Sequence, residues 1–209
     1  MSYSIIAKGE SRSFPNSDPF LAAATVDADV VVYLGAALVP DDSKTAILVE
    51  MGTESLGAHT GEAFGEEGSN VLGFSRYRNG SDAPSKLVEL VRQPRTKESA
   101  IAAAKAVIES AGLTVVVCAD QPGRIIDRLV RPKYNAALRF LDEGLATAKD
   151  MDLTCRLGLG YADGPIERVE RGGLAHHHDV TKALFDVFAT PAYAPARRAI
   201  VAKQREKKT

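Results

Sequence analysis

The chain has no tryptophan, only two cysteines and no surplus of charge of either sign. Two cysteines, Cys118 and Cys155, far apart in sequence, exclude a disulfide-built scaffold. Both stand in apolar surroundings, "TVVVCAD" and "DLTCRLG", which predicts buried free thiols in a reducing compartment. A formal net charge of −1 leaves no basic excess for a nucleic-acid surface. The basic run from Lys203 to Lys208 reads as a solvated tail. No apolar stretch approaches the roughly 20 residues that span a bilayer. The start, "MSYSIIAKGESRS", has no basic-then-apolar pattern of a signal peptide. These absences predict a cytoplasmic protein with no nucleic-acid or membrane partner.

A Gly-rich phosphate turn is also missing. A dinucleotide site on an α/β sheet needs glycines after the first strand, so that the backbone can approach the pyrophosphate at a helix N-terminus. Here the first strand candidate is followed by "KGESRSFPNSDPF", with one glycine and two prolines. The nearest match to the spacing, Gly158, Gly160 and Gly164, follows one helix and precedes another, so it reads as a connecting loop. No Walker sequence is present. The run His176, His177, His178 is no metal site, because adjacent helical residues point about 100° apart. It reads as a solvated helix start. His59 lies in a loop or helix rim and has no evident partner in sequence.

What is there is a change of pattern along the chain. Five apolar runs read as strands: Tyr3–Ala7, Ala28–Gly35, Lys44–Glu50, Asn70–Tyr77 and Leu113–Ala119. Thr96–Gly112 reads as a helix, with Thr96 as N-cap and Gly112 as terminator. Short strands alternating with helices predict an α/β sheet that is at least partly parallel. After Asp120 only helical patterns remain. One runs from Arg124 to Glu143, with a kink or break expected at Pro132. A second is capped by Thr147 and stopped at Gly158. A third starts at Pro165. A fourth begins with the histidines, and a last one begins after "TPAYAP". The fold class is therefore α/β followed by all-α.

The residues from Val71 onward resemble the 3-hydroxyacyl-CoA dehydrogenases of β-oxidation. "KLVELVR" (Lys86–Arg92) is similar to the family's segment after its catalytic histidine. Asp120–Pro165 resembles its helical-domain signature: a D-x-P-G-F turn, an N-R-L-x-x-P helix, an E-G ending, an S-x-x-D-I-D cap and a G-P loop. Pro122, Gly123, Arg128, Leu129, Pro132, Gly144, Asp150, Asp152, Gly158, Gly164 and Pro165 fall in place. "ATPAYAP" (Ala189–Pro195) resembles the family's D-P-K-Y-x-P turn. Met51–Phe74 is similar, more weakly, to an N-T-S-S-L strand-turn-helix.

The resemblance implies a shortened Rossmann-like domain over residues 1–119 and a helical, dimer-forming domain over 120–209. It implies NAD as the family's cofactor and no metal. The family's chemistry uses a histidine paired to a glutamate, with a serine and an asparagine at the substrate oxygen. Position by position, the glutamate is Glu89. The histidine position falls on Ser75, the serine position on Glu54 and the asparagine position on Asp127. Serine is no base near pH 7. Two carboxylates beside a developing oxyanion oppose reduction.

The expectation is a dehydrogenase-like protein without independent NAD-dependent activity, with NAD not bound. It would act as a homodimer through its helical domain, or as the partner of a full-length dehydrogenase. The alternatives are an active 3-hydroxyacyl-CoA oxidoreductase with altered residues, and a non-catalytic acyl-CoA-binding module. In the last, Arg76, Arg78 and Lys86 would contact phosphates.

Overall fold

A computed structural model describes residues 2–64 and 67–206. It divides the chain into two compact units. The sheet unit comprises Met1–Arg78 and Ala83–Arg124, and the helical unit comprises Asn79–Asp82 and Ile125–Thr209. Lys207 and Lys208, the end of the basic run, lie outside the described residues.

The sheet unit runs β1 (Ser4–Ala7), α1 (Pro19–Ala22), β2 (Val30–Leu34), β3 (Ala46–Glu50), α2 (Gly57–Thr60), β4 (Val71–Arg76), β5 (Leu87–Arg92), α3 (Glu98–Ser110) and β6 (Thr114–Ala119). The strands lie in one sheet in the order in which they occur in the chain. β1 to β4 are parallel, β5 is antiparallel to β4, and β6 is parallel to β5. All five predicted strands are present. β5 is the addition: "LVELVR" is a strand that reverses direction.

Both faces of the sheet are covered, which is why β2 is buried along its whole length and reads as a continuous apolar run. On one face Val30, Val32, Leu48, Leu72 and Leu90 pack with Ala104, Val107 and Ile108 of α3. On the other, Val31, Tyr33, Ile47, Val49, Val71 and Val91 pack with Leu56 and the loop residue Leu38. A Cβ on Gly73 would fall 1.9 Å from Met51 Sδ, so the glycine leaves the room that Met51 fills beside β4 on this second face. Thr96 does not cap α3. Lys97 occupies the cap position without a side-chain bond, because the Thr96 hydroxyl accepts instead from Gln93 N at 2.9 Å.

The helical unit contains α4 (Ile126–Asp142), α5 (Ala148–Leu159), α6 (Pro165–Gly172), α7 (Leu174–Phe188), a 3₁₀ turn (Pro191–Tyr193) and α8 (Arg197–Glu206). α4 passes through Pro132 without a break. The one backbone bond lost at the proline is outweighed by the burial of Tyr134 and Leu138 within the next two turns. Gly158 does not stop α5. The helix continues to Leu159 and ends at Gly160, whose φ of 70° is the left-handed cap. Thr147 caps the start of α5 as expected, accepting from Asp150 N.

The carboxylate of Asp152 accepts from Ile166 N at 2.8 Å and Glu167 N at 3.0 Å, and so holds the start of α6. A Cβ on Gly164 would lie 2.2 Å from the Asp152 side chain. The D-I-D and G-P parts of the signature are thus one device, a buried carboxylate against a glycine that leaves it room. Asn79 donates to Arg168 O at 3.1 Å, and Asp82 pairs with Arg171 at 3.0 Å. These contacts make the short segment between β4 and β5 part of the helical unit.

Candidate functional site

Ser75 on β4 and Glu89 on β5 are direct cross-strand partners in the antiparallel pair. Opposed residues point to the same face with Cβ atoms about 5 Å apart. The sequence spacing therefore brings together the two positions that carry the family's histidine–glutamate pair. They lie on the face that also holds Val71 and Val91. Glu89 is no surface residue, being 3% exposed.

Its charge is met by a residue the sequence reading passed over. Arg124 ends the turn after β6, is 5% exposed, and places Nε 3.6 Å from Glu89 Oε2. Its Nη2 donates to Gly52 O at 2.7 Å, while the buried Nε and Nη1 make no hydrogen bond among the described residues. The residue takes a left-handed φ of 49°. The signal was present in the sequence: Arg124 stands where the D-x-P-G-F turn has phenylalanine. Nearby Cys118 is half-buried. Burial first, then the charge of Glu89, pushes its thiol up to about 11, so it is held as the unreactive thiol. Cys155, also free, is likewise half-buried.

Glu54 follows β3 and its Oε1 accepts from Gly52 N at 2.9 Å. The same oxygen lies 2.9 Å from His59 Nε2. His59 therefore has a partner, contrary to the sequence expectation: one turn of α2 brings it back over Glu54. Burial raises the Glu54 carboxyl, but bonds from His59 and from the backbone N–H groups of Glu54 and Gly52 outweigh it and hold the group below the usual range. The start of α2 is fixed by Asp120, whose carboxylate accepts from Leu56 N at 2.6 Å and Gly57 N at 3.0 Å.

The crest of the sheet, at the carboxyl ends of β1 to β4, is filled by the loop that follows β1. Glu50 Oε1 accepts from the Ser11 hydroxyl and from Ser13 N, each at 2.8 Å. Asp18 caps α1, and its other oxygen pairs with Arg76 Nη1 at 2.6 Å. Arg76 also donates to Ser13 O and Ser85 O, and its guanidinium lies 5.5 Å from the Phe14 ring centre. It is thereby engaged inside the unit. Arg78 reaches Glu10 at 4.0 Å, and Lys86 is exposed. The three cations do not converge in any contact described here.

Asp127 lies in the helical unit, where it pairs with Arg131 one turn later at 2.8 Å. Arg131 Nη1 faces His177 Nδ1 at 3.4 Å, and His177 Nε2 faces Asn135 Oδ1 at 3.0 Å. Asn135 in turn donates to Ala192 O and accepts from Ala196 N. A guanidinium can only donate, so His177 accepts at Nδ1 and carries its proton on Nε2. His177 is fully buried, which corrects its reading as part of a solvated helix start. Burial, then the charges of Arg131, His176 and His178, push its pKa down to about 3.

The helical unit also leaves apolar side chains in the open. Leu129 and Phe140 of α4 and Leu153, Leu157 and Leu159 of α5 are all more than 40% exposed. A groove of about 220 Å³ between them is lined by Phe140, Met151, Cys155, Leu159 and Tyr161. Among the described residues, no helix is long and apolar enough to cross a membrane.

Residues 123–209 match the family described as 3-hydroxyacyl-CoA dehydrogenase, C-terminal domain. The chain is 36% identical over 101 residues to the mitochondrial hydroxyacyl-coenzyme A dehydrogenase of Sus scrofa, covering 48% of this chain and 31% of that protein. It is 33% identical over 110 residues to a 3-hydroxybutyryl-CoA dehydrogenase of Mycobacterium tuberculosis, covering 52% and 38%. The chain thus spans about a third of the length of these curated relatives. The fold is similar to that of M. tuberculosis FadB2, with a TM-score of 0.72 at 22% identity over 86% of this chain and 67% of that one. It is also similar to the (S)-3-hydroxybutyryl-CoA dehydrogenase PaaH1 of Ralstonia eutropha, with a TM-score of 0.66 at 24% identity over 82% and 63%. Residues 123–209, most of the helical unit, are thus similar to the C-terminal domain of 3-hydroxyacyl-CoA dehydrogenases.

Proposed function

We propose that this chain is a 3-hydroxyacyl-CoA dehydrogenase-like, acyl-thioester-binding, self-associating protein of fatty-acid or aromatic-acid β-oxidation that does not transfer hydride to NAD by itself. Arg124 carries this conclusion. A dehydrogenase of this kind needs a base that takes the hydroxyl proton, poised near neutral pH. At the position paired with Glu89 stands Ser75, and the charge facing Glu89 is a guanidinium. Arginine does not give up its proton in proteins, so the pair is fixed as a buried salt bridge and cannot cycle.

The described residues also do not fit a dinucleotide. In open α/β sheets a ligand binds where the strand order reverses, and here the order runs from β1 to β6 without reversal. α1 has four residues, and its N-cap is a carboxylate. The crest is filled by Ser11 and Ser13 bound to Glu50. Two carboxylates there oppose a pyrophosphate.

The exposed leucines of α4 and α5 form an apolar surface of the kind that marks an interface. We assign it to a second copy of the chain, in a symmetric dimer. A full-length dehydrogenase from the same pathway is the other partner this face would accept.

The test measures three things on the same protein: NADH formation from 3-hydroxybutyryl-CoA with NAD, calorimetric heat with NAD, and melting temperature with 3-hydroxybutyryl-CoA. The expected outcome is no turnover, no heat and a raised melting temperature. Turnover overturns the proposal in favour of an altered but working dehydrogenase. For the dimer, light scattering at micromolar concentration is expected to show two copies, and Leu157→Asp to give one. A wild-type monomer that captures no full-length dehydrogenase removes the interface.

A further inference from the structure

His59 and Glu54 form a second histidine–carboxylate pair, on residues that differ from those of the family's pair. His59 Nε2 lies 2.9 Å from Glu54 Oε1, and Glu54 is fixed in turn by Gly52 N at 2.9 Å. The Gly52 peptide joins two charged pairs: its N–H holds Glu54, and its carbonyl accepts from Arg124 Nη2 at 2.7 Å. Glu54 itself stands at the position where the resemblance places a substrate-contacting serine.

The two pairs differ in access and in chemistry. Glu89 and Arg124 have side chains 4% and 3% exposed, whereas Glu54 and His59 have side chains 38% and 27% exposed. A carboxylate can only accept from an imidazole, so Nε2 carries a proton, and Nδ1 is the nitrogen that can act as base when the ring is neutral. Among the described residues no hydrogen bond to Nδ1 is made. An open, oriented, neutral imidazole is what general-base catalysis requires.

We infer that His59, oriented by Glu54, is a general base that removes the proton from the carbon next to the carbonyl of an acyl thioester. This rests on the acyl-thioester reading proposed above. His59 Nδ1 takes the α-proton, the C–H electron pair becomes the enolate, and the carbonyl oxygen carries the negative charge. The imidazolium then returns a proton to the same carbon. In heavy water the proton returned is a deuteron, so hydrogen is exchanged for deuterium with no net redox change and no cofactor. Glu54 is a positioning residue that fixes the imidazole tautomer.

The experiment follows deuterium incorporation at the α-carbon of 3-hydroxybutyryl-CoA in heavy water by proton NMR, with calorimetric binding of the same compound as the parallel arm. The wild type is expected to bind and to exchange well above buffer. His59→Gln should lower exchange by about a hundredfold with binding retained. Glu54→Gln should lower it less, and Glu54→Asp should recover part of the loss. Nitrogen-15 shifts of His59 are expected to show Nε2 protonated and Nδ1 bare in the wild type, a readout that needs no variant to fold. Binding without exchange overturns the role of His59 and leaves the thioester reading standing. Failure to bind overturns that reading, and the inference falls with it. A bare Nε2 removes the pair itself.

Discussion

Asp152 in the helical unit and Glu89 in the sheet unit are both buried carboxylates, 6% and 3% exposed, and they are compensated in different ways. Asp152 accepts two backbone N–H groups at the start of α6. Glu89 faces a guanidinium whose Nε and Nη1 make no hydrogen bond among the described residues. A carboxylate that caps a helix serves the backbone, and the chain needs it to fold whatever the protein does. Glu89 is met instead by the charge of a side chain brought from a distant part of the sequence. Residues 123–209, nearly all in the helical unit, match the family description, whereas in the sheet unit the resemblance aligns Ser75 and Glu54 with residues of other kinds.

If Glu89 is only a charge to be cancelled, removing its partner should be costly and removing both should not. Arg124→Met removes the guanidinium that faces the buried Glu89 carboxylate and should destabilise by about 3–5 kcal/mol. Arg124→Met with Glu89→Gln should recover most of that. Urea denaturation of the two variants decides it. Equal losses in the single and double variants would mean that Arg124 acts through packing rather than charge.

The helical unit's own buried polar cluster gives the next largest effect. His177 is held near pKa 3 in the folded state, against about 6.5 in the unfolded chain. Its folded pKa is depressed, so the unfolded chain takes up a proton that the folded state refuses. The stability is present in full above about pH 6.5 and is lost as pH falls towards 3. The slope is about 1.4 kcal/mol per pH unit, or about 2 kcal/mol between pH 6.5 and 5. Urea midpoints at pH 7 and pH 5 measure it. His177→Gln should start less stable and be nearly flat over that range. A wild type that is flat as well would show that Arg131, Asn135 and His177 do not form the closed chain described.

The smallest effect expected is at the helix cap. Asp152→Asn keeps one acceptor oxygen for Ile166 N and loses the one for Glu167 N. It should cost about 1 kcal/mol, read as a shift in melting temperature. A loss as large as that of Arg124→Met would erase the distinction between the two carboxylates.

The sequence by itself determined the α/β-then-helical order, five of the six strands, the cap at Thr147 and the start at Pro165. These follow from local chemistry: β-branched runs, an oxygen at an N-cap and a proline that needs no N–H. It also placed Ser75 and Glu89 as a pair, because the family spacing carries strand register within it. β5 was not legible because Glu89 and Arg92 interrupt its apolar pattern, so that it makes sense only beside β4 and β6.

Only the tertiary structure decided who partners whom. Arg124 reaches Glu89 across 35 residues of chain, His59 turns back over Glu54, and His177 sinks into a buried cluster. In each case the pairing depends on which side chains share one face or one core, and spacing along a chain does not encode distance across it.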